Sequence, residues 1–366
     1  MDPTIFLNYG LLRPVSSIIP EGSLVNPKYP AAVGMRSLGV MRLQSCLMGA
    51  FAQALPDLIP AGQGDGGPLI NVRTTDTKTG RKLMANLNPI TGGAGATAFR
   101  DGTEGSGAYF SFLKNTPVEI NEAEVPVKIL RYGLAQDSGG AGYWRGGTGT
   151  TLKFQTFSPN TTITARNRDR CLFTPWGADG GGAGKPSSFY LNPGSNREVN
   201  LGNTDVVSID PGDVIEITSA GAGGAGNALA RDPSRVLKDV QRRFVSVSAA
   251  RDEYGIVIEG GEVDEGATLT LREQMGSETN GGGGGFGFNA ERVEFESTWT
   301  QSNYRVLINA LLKLPVDWRF FVKHRVFESV ENLRLSGAEV CEEDIKTALR
   351  NVANDYPEIS SELAFV

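Results

Sequence analysis

The spacing of hydrophobic residues divides the chain into one helix, a long β-rich region and a helical end. Over residues 31–56, apolar side chains recur at helical intervals until Pro56, which predicts a single helix. Residues 67–230 alternate short apolar runs with Gly, Pro, Asn and Asp, a pattern typical of strands joined by tight turns. Helical spacing returns over 234–254 and predicts two closing helices.

Serines stand where those two closing helices should begin. Ser234 is the expected N-cap of the first helix and Ser246 that of the second, because a serine hydroxyl accepts a bond from a free N–H of the first turn. Gly255 is expected to end the second helix in a left-handed conformation.

Glycine content separates this region from the end of the chain. Residues 263–288 include the run Gly281–Gly285 and predict a flexible linker. Beyond them glycine is rare, and Asn303–Lys313, Trp318–Asn332 and Glu342–Asn354 have helical patterns. The fold class predicted is therefore α+β, with a β-rich domain over 1–262, a linker over 263–288 and a helical extension over 289–366.

The most unusual segment is 137–149, which reads DSGGAGYWRGGTG between two predicted strands. It has no hydrophobic period, and its glycines let the backbone turn sharply and approach other groups closely. We expect a shaped loop on a β scaffold. Its Trp144 and an Arg145–Asp137 pair could be purely structural, or these side chains could bind a ligand.

This segment resembles the glycine-rich signature of the hydantoinase B/oxoprolinase family. Other short motifs follow in the family's order, so the likeness covers about residues 4–260 and does not depend on one glycine-rich match. The motifs are Asn8–Pro14 (NYGLLRP), Pro20–Pro27 (PEGSLVNP), Pro175–Gly177 (PWG), Arg231–Pro233 (RDP) and Ala249–Val257 (AARDEYGIV).

The resemblance implies a subunit of a multi-subunit, ATP-dependent enzyme. Only the family's second half is represented, because the His/Asp metal cluster of the first half has no counterpart among one histidine and three scattered cysteines. We therefore expect ATP and a divalent metal to be bound by other subunits and none by this chain. The expected partners are a hydantoinase A-like ATP-binding subunit, a chain carrying the missing hydantoinase B N-terminal half and a small zinc-binding subunit.

Composition and missing motifs argue against several other classes of protein. The net charge of −6, with both signs mixed, argues against a nucleic-acid surface. No apolar run of transmembrane length and no signal peptide pattern is present, so we expect a cytoplasmic protein without a membrane partner. No GxxxxGK[ST] phosphate loop or GxSxG elbow occurs, which argues against ATP binding by that motif and against a hydrolase of that class.

Charged residues beside the glycine-rich loops are the candidate site. A guanidinium forms paired hydrogen bonds with carboxylate, bicarbonate or phosphate oxygens, although the same arginines could simply tie loops together. The candidates for binding substrate or intermediates are Arg13, Arg100, Asp101, Asp137, Arg145, Arg166, Asp169 and Arg170. No metal ligand and no catalytic residue is assigned.

Three functions fit this sequence. The split architecture and the helical extension favour a ketone carboxylase subunit, similar to acetone and above all acetophenone carboxylase, that makes a 3-oxo acid from ketone, bicarbonate and ATP. The second hypothesis is a subunit of an ATP-dependent hydantoinase or oxoprolinase, which hydrolyses cyclic amides. The third is a non-catalytic scaffold that completes its partner's fold.

Overall fold

The chain contains two compact units. The computed structural model describes residues 13, 15–31, 33–34, 36–66, 68–87, 91–107, 115–166, 168–278 and 285–363. The first unit comprises Met1–Cys171 and Pro175–Gly287. The second, which we call the helical unit, comprises Leu172–Thr174 and Phe288–Val366.

The first unit is built on antiparallel strands, and with its helices it gives the predicted α+β class. In chain order the strands are β1 (Leu69–Thr75), β2 (Lys82–Asn86), β3 (Val127–Leu134), β4 (Thr150–Thr156), β5 (Thr161–Arg166), β6 (Gly177–Ala178), β7 (Ser188–Leu191), β8 (Val199–Asn200), β9 (Val206–Ile209), β10 (Val214–Thr218), β11 (Ile258–Glu259), β12 (Glu262–Val263) and β13 (Phe286–Gly287). One sheet has the order β2-β1-β5-β9, and a larger one has the order β3-β4-β10-β7-β8. The short strands pair as β11 with β12 and β6 with β13.

A single hydrophobic core joins the two larger sheets. Alternate residues of each strand point inward, as the period of two requires, so that Ile70 and Ile163 of one sheet lie in the same buried cluster as Phe154 and Ile215 of the other. Register shifts once, between Ile129 and Arg131, where β3 bulges against β4. The core therefore fixes the ends of the strands, from which the glycine-rich loops leave.

The helices of this unit begin and end for identifiable reasons. They are α1 (Arg36–Ala54), α2 (Val118–Glu124), α3 (Pro233–Gln241), α4 (Val247–Tyr254) and α5 (Glu265–Glu278). Ser246 caps α4 as predicted, its Oγ accepting from Ala249 N at 3.0 Å, and Gly255 ends it with φ +63°. The cap predicted at Ser234 is wrong. Asp232 caps α3, its Oδ1 accepting the main-chain N–H of Ser234 at 2.7 Å, and Pro233 occupies the first turn, where no N–H is needed.

The linker predicted over 263–288 is also wrong in its first part. Residues Glu265–Glu278 form α5, and Asp264 Oδ1 accepts the N–H of Ala267 at 2.9 Å at its start. The helix was missed because Gly266 and Gly276 interrupt its pattern. Residues 279–284 lie outside the described residues, and Phe286 pairs with Ala178 directly after them.

The helical unit has its own core. Its helices are α6 (Ala290–Thr298), α7 (Gln301–Lys313), α8 (Val316–Leu335), α9 (Glu342–Asp355) and α10 (Ser360–Leu363). The three helical patterns predicted from the sequence correspond to α7, α8 and α9. Leu307, Val326 and Leu349 are fully buried at the centre of this unit, one from each of those helices. Among the described residues, no helix has the length and apolar character needed to cross a membrane.

Six glycine-rich segments of the first unit pack against one another, mostly outside regular helices and strands. We call them the glycine bundle: residues 61–65, 92–96, 102–107, 138–149, 176–184 and 220–226. Main-chain bonds join each segment to others, for example Ala96 N to Gly223 O at 3.0 Å and Gly147 N to Ala94 O at 2.9 Å. The buried backbone groups thus find partners without forming a regular ladder.

The bundle depends on the missing side chains of its glycines. A Cβ at Gly221 would lie 1.7 Å from the carbonyl oxygen of Ser138, and one at Gly93 would lie 1.8 Å from that of Gly147. Backbone atoms occupy the space that any other residue would need. The predicted loop 137–149 is therefore one layer of a packed backbone assembly, and its flanking charges are held within that assembly.

Candidate functional site

Two clusters of charged side chains lie against the glycine bundle. The first is the Arg231 network, formed by Arg145, Arg231, Asp101, Glu104 and Asp239. Arg145 Nη2 lies 2.5 Å from Glu104 Oε1, and Arg231 Nη2 lies 2.8 Å from Asp239 Oδ2. Both arginines are buried, with relative accessibilities of 2% for Arg145 and 1% for Arg231, so their charges are compensated by protein groups in a region of low dielectric constant.

The network keeps its charges because each ion has a close partner. Burial alone would raise the pKa of Asp101, but the bonds and charge of Arg231 outweigh it and hold that pKa below the usual value. Burial would lower the pKa of Arg145, and Glu104 more than offsets this effect. The neighbouring Tyr254 is buried, which raises the pKa of its phenol. Asp101, Arg145 and Tyr254 therefore each keep one protonation state around neutral pH, which suits a structural role.

Arg145 does not pair with Asp137, so that part of the structural interpretation is wrong. Asp137 has φ +61°, and its Oδ1 accepts the main-chain N–H of Ser246 at 2.6 Å. It therefore links the glycine-rich loop to the start of α4. Arg145 instead bonds Glu104 and stacks 4.9 Å from the Phe244 ring centroid.

The second group, which we call the Arg42 cluster, consists of Arg42, Ser45, Asp65, Asp169 and Arg170. Asp65 Oδ2 accepts from Ser45 Oγ at 2.6 Å and from Arg170 Nη2 at 3.2 Å, and Arg42 Nη2 also donates to it. Arg42 Nε lies 3.0 Å from Asp169 Oδ2 as an ion pair. The cluster brings together α1, the bundle residue Asp65 and the loop after β5.

This cluster is less completely satisfied than the Arg231 network. Within the described part of the chain, four buried atoms of this cluster have no hydrogen-bond partner, namely Arg42 Nε, Asp65 Oδ1, Asp169 Oδ2 and Arg170 Nε, whereas the Arg231 network has two, Arg145 Nε and Arg231 Nε. Arg42 Nε and Asp169 Oδ2 face each other only as the ion pair described above. Burial raises the pKa of Asp169 despite Arg42 and Arg170, and burial lowers the pKa of Arg170 with help from the charge of Arg42. Buried groups with perturbed pKa values and unused bonding capacity are typical of functional sites, so this cluster is our leading candidate site.

The other candidate residues from the sequence lie elsewhere. Arg13, Arg100 and Arg166 are exposed, and the motif Asn8–Pro14 is described only at Arg13. Sequence reasoning thus named Asp169 and Arg170 but missed their partners Arg42 and Asp65. Helical spacing in α1 could have placed Arg42 beside Ser45, since residues three apart share a helix face.

A groove on the glycine bundle offers a separate binding surface. Its volume is about 490 Å³. Polar groups come from Asp57, Tyr143, Asp179 and Asn227. Trp144 supplies a ring on which the Arg235 guanidinium stacks 4.4 Å from the centroid. Backbone and small side chains form the floor, which lets a flat ligand approach the main chain.

The described residues do not fit a metal ion. No group of three His, Cys, Asp or Glu side chains has the arrangement of a metal site in the described ranges. His324 lies exposed on α8, with its ring centroid 4.4 Å from that of Phe320 and the two ring planes tilted by 59°. The carboxylates of the Arg42 cluster already face two guanidinium groups, which would repel a cation.

The fold and these motifs agree with a family assignment. The model of the hydantoinase B/oxoprolinase family matches residues 1–228. The chain belongs to this family. An uncharacterised protein of Methanocaldococcus jannaschii is 32% identical over 259 residues, which are 70% of this chain and 44% of that protein. Caprolactamase subunit beta of Pseudomonas jessenii is 33% identical over 282 residues, 72% of this chain and 47% of that subunit.

Solved structures resemble the same part of the chain. The ATP-dependent caprolactamase of Pseudomonas jessenii superposes with a TM-score of 0.58 at 28% identity, covering 70% of this chain and 46% of the other. A nucleotide-free acetone carboxylase superposes with a TM-score of 0.50 at 19% identity, covering 62% and 35%, which is a likeness of fold alone. The chain spans less than half the length of the curated relatives it matches.

Proposed function

We propose that this chain is one subunit of an ATP-dependent enzyme that acts on a carbonyl compound. The observation that carries the proposal is the family match over residues 1–228, together with two similar proteins that are named as subunits. ATP and the metal would be bound by other subunits, a hydantoinase A-like one for ATP. This chain would contribute the glycine bundle and the Arg42 cluster to the shared active site.

Ketone carboxylation is the first candidate reaction. A ketone, bicarbonate and ATP would give a 3-oxo acid. Phosphoryl transfer would activate both substrates, the ketone would lose an α-proton on enolisation, its carbon would bond to the carboxyl carbon, and the phosphoryl groups would leave as phosphate. The fold likeness to acetone carboxylase supports it, and so does the helical unit, a feature the sequence resemblance associates with the ketone carboxylase branch. Arg170 and Arg42 would stabilise negative oxygen atoms in such intermediates.

Hydrolysis of a cyclic amide is the second candidate reaction. Caprolactamase favours it, because its structure matches this chain at a higher sequence identity than that of acetone carboxylase does. Caprolactamase is similar to this chain at 33% identity in sequence and at 28% in the superposed structure. In this reaction ATP would phosphorylate the amide oxygen, one water would add to the carbonyl carbon, and the ring C–N bond would break as a proton moves to nitrogen. A second water would then release phosphate from the acyl phosphate that remains. Asp169, whose pKa is raised by burial, would exchange a proton in this reaction beside Arg42 and Arg170.

The exposed apolar face of α1 supports the proposal that another protein chain binds there. Val40, Leu43, Leu47 and Phe51 follow one face of the helix and are 42–52% exposed. An apolar stripe of this length is costly in water and is typical of a protein interface. We propose that a chain carrying the remaining hydantoinase B half covers this stripe, next to the Arg42 cluster on the same helix.

The test uses the chain purified together with its partner subunits. ATP consumption is measured with a ketone and with a lactam, each with and without labelled bicarbonate. Ketone- and bicarbonate-dependent ATP use with label in an acid product supports carboxylation, and lactam-dependent use without bicarbonate supports hydrolysis.

The variant Asp169→Asn, with Asp252→Asn as an exposed control, then tests the site. Loss of turnover in an intact complex for the first variant alone supports a role in the reaction. Unchanged turnover in both variants would leave a scaffold subunit, the third function predicted from the sequence. An intact complex that consumes no ATP with either substrate class would overturn the proposal itself.

A further inference from the structure

We propose that the helical unit contains a binding site for a planar aromatic compound that carries one carboxylate. The site is a cavity of about 830 Å³ formed by α6, α7, α8 and Phe173, which we call the aromatic cavity. It lies outside the family match over residues 1–228 except for Phe173. The inference therefore goes beyond the proposed function and does not rest on it.

Aromatic rings form most of the wall. Trp299 and Phe327 stack with centroids 4.3 Å apart, and Phe295 lies 6.4 Å from each of them. Phe173 meets Phe295 at 4.9 Å, and Tyr304 meets Trp299 edge-on at 6.0 Å. Ring faces and edges around one space favour a flat, apolar ligand.

The cavity has the size of a ligand site. Its volume lies within the roughly 300–1,000 Å³ that such sites usually have, so one bicyclic ring system would fit with room for water. Phe295, Phe327 and Tyr304 remain half-buried around it, although a fully packed core would bury them. Removing those faces from water is the source of binding free energy.

The charges on the wall select a monoanion. Arg292 is paired with Glu296, its Nη2 2.5 Å from Oε1. Lys323 Nζ lies 5.2 Å from the Phe327 centroid and forms no ion pair within the described residues. One uncompensated ammonium beside aromatic rings would attract a single carboxylate, and the low polarity of the wall would strengthen that attraction.

Polar groups at the edge complete the site. Gln301 and Tyr304 line the cavity and offer an amide and a phenol, whereas the hydroxyl of Thr300 caps α7 by accepting the N–H of Asn303 at 3.3 Å. The amide and the phenol could bond the second carboxylate oxygen or a ring substituent, whereas a purely aliphatic acid would leave the aromatic faces uncovered. The ligand class is therefore an aryl carboxylate.

Calorimetric titration of the full chain with 2-naphthoate tests the proposal. We expect one site per chain, about tenfold weaker binding in Lys323→Gln and recovery in Lys323→Arg, because a charge-assisted bond is lost and then restored. The matched control is Arg325→Gln, which removes an exposed charge from the same helix and should change the affinity less than about twofold. Phe327→Leu should also weaken binding.

A neutral probe tests whether the site requires a carboxylate, and a non-aromatic probe tests whether it requires an aromatic ring. 2-Naphthamide should bind more weakly than 2-naphthoate and should not distinguish the native chain from Lys323→Gln, while cyclohexanecarboxylate should not bind. Absence of heat with 2-naphthoate at millimolar concentration overturns the proposal, and so does an equal loss in Lys323→Gln and Arg325→Gln. If Lys323→Gln fails to fold, the native chain alone provides the test. Tighter binding of 2-naphthoate than of 2-naphthamide then supports the proposal, and equal or weaker binding overturns it.

Discussion

Arg231 donates to both carboxylate oxygens of Asp101, at 2.7 Å to Oδ1 and 2.9 Å to Oδ2, across 130 residues of sequence. Asp101 Oδ1 also accepts the main-chain N–H of Arg145 at 2.8 Å. One carboxylate therefore ties α3 and its preceding turn to two segments of the glycine bundle. The pair is one link between the β-rich part of the first unit and its closing helices, beside the bond from Ser246 N to Asp137.

Asp101→Asn should destabilise the protein in a pH-dependent way. The pKa of Asp101 is lower in the folded chain than its ordinary value of 3.8, because bonding to Arg231 outweighs burial. Its contribution is present above that ordinary value and is lost as pH falls through the lower folded pKa. We expect a loss of about 3 kcal/mol at neutral pH, shrinking towards zero in acid, from urea unfolding. Asp252→Asn is the exposed control, and a pH-independent loss would contradict the account.

Asp169→Asn should show the opposite trend with pH. Burial raises the pKa of Asp169 above 3.8, so the folded chain binds this proton more tightly than the unfolded chain does. The resulting stability is present below 3.8 and is lost as pH rises through the higher folded pKa. Relative to the native chain, the variant should therefore gain free energy of unfolding as pH rises over that window. Parallel pH profiles for both proteins would exclude the assigned shift.

Arg145→Met should destabilise the fold, whereas Arg13→Ala should not. Arg145 is buried against Glu104, and removing it leaves that carboxylate short of its main partner, at a cost of about 3–5 kcal/mol. Arg13 is exposed. The double variant Arg145→Met with Glu104→Gln should cost less than the sum of its single changes. Thermal melts and a double-mutant cycle measure this, and strict additivity would mean that the pair does not act as a unit.

Gly221→Ala should be among the most damaging small changes in the chain. The added methyl carbon would lie 1.7 Å from Ser138 O, so two backbone segments would have to separate, at a cost of about 3 kcal/mol. Gly276→Ala is the control: it lies in α5 with open space around it and should raise stability by about 0.5–1 kcal/mol. Denaturant unfolding measures the free energy of unfolding of both variants. Equal effects of the two changes would show that the bundle tolerates expansion.

Leu47→Glu with Phe51→Glu should abolish assembly while leaving the isolated chain intact. Both side chains are about half exposed on α1, so a charge costs little there until a partner buries it. Gln53→Glu adds the same charge on the opposite face of the helix and should assemble normally. Co-purification and light scattering report the outcome. A complex that forms equally well with the double variant would place the partner on another surface.

The sequence predicted those elements whose signal is local. The hydrophobic period found α7, α8 and α9, and the capping residue Ser246 found the start of α4. Helix α5 was missed because its two glycines weaken the period, although the chain continues the helix through both. Local sequence therefore predicts most of these helices, except where tertiary packing outweighs the low helix propensity of glycine.

The candidate site was only half predictable because its partners are far apart in sequence. Asp169 and Arg170 stand beside a recognisable motif, but their ion partners Arg42 and Asp65 come from α1 and the glycine bundle. Asp137 and Arg145 show the converse: nearness in the loop predicted a pair that the fold replaces with Ser246 and Glu104. Ion pairs between distant segments require the three-dimensional fold.

The glycine bundle also limits how this protein can change over generations. In an ordinary core, a larger residue at one position is offset by a smaller one nearby, so many combinations of side chains remain acceptable. Where backbone meets backbone, as at Gly221 and Ser138, no neighbour has atoms to give up. A library of all single substitutions should therefore tolerate exchanges at Ile163 or Ile215 far more often than any change at the buried glycines. Compensating second mutations should be common for the former and nearly absent for the latter.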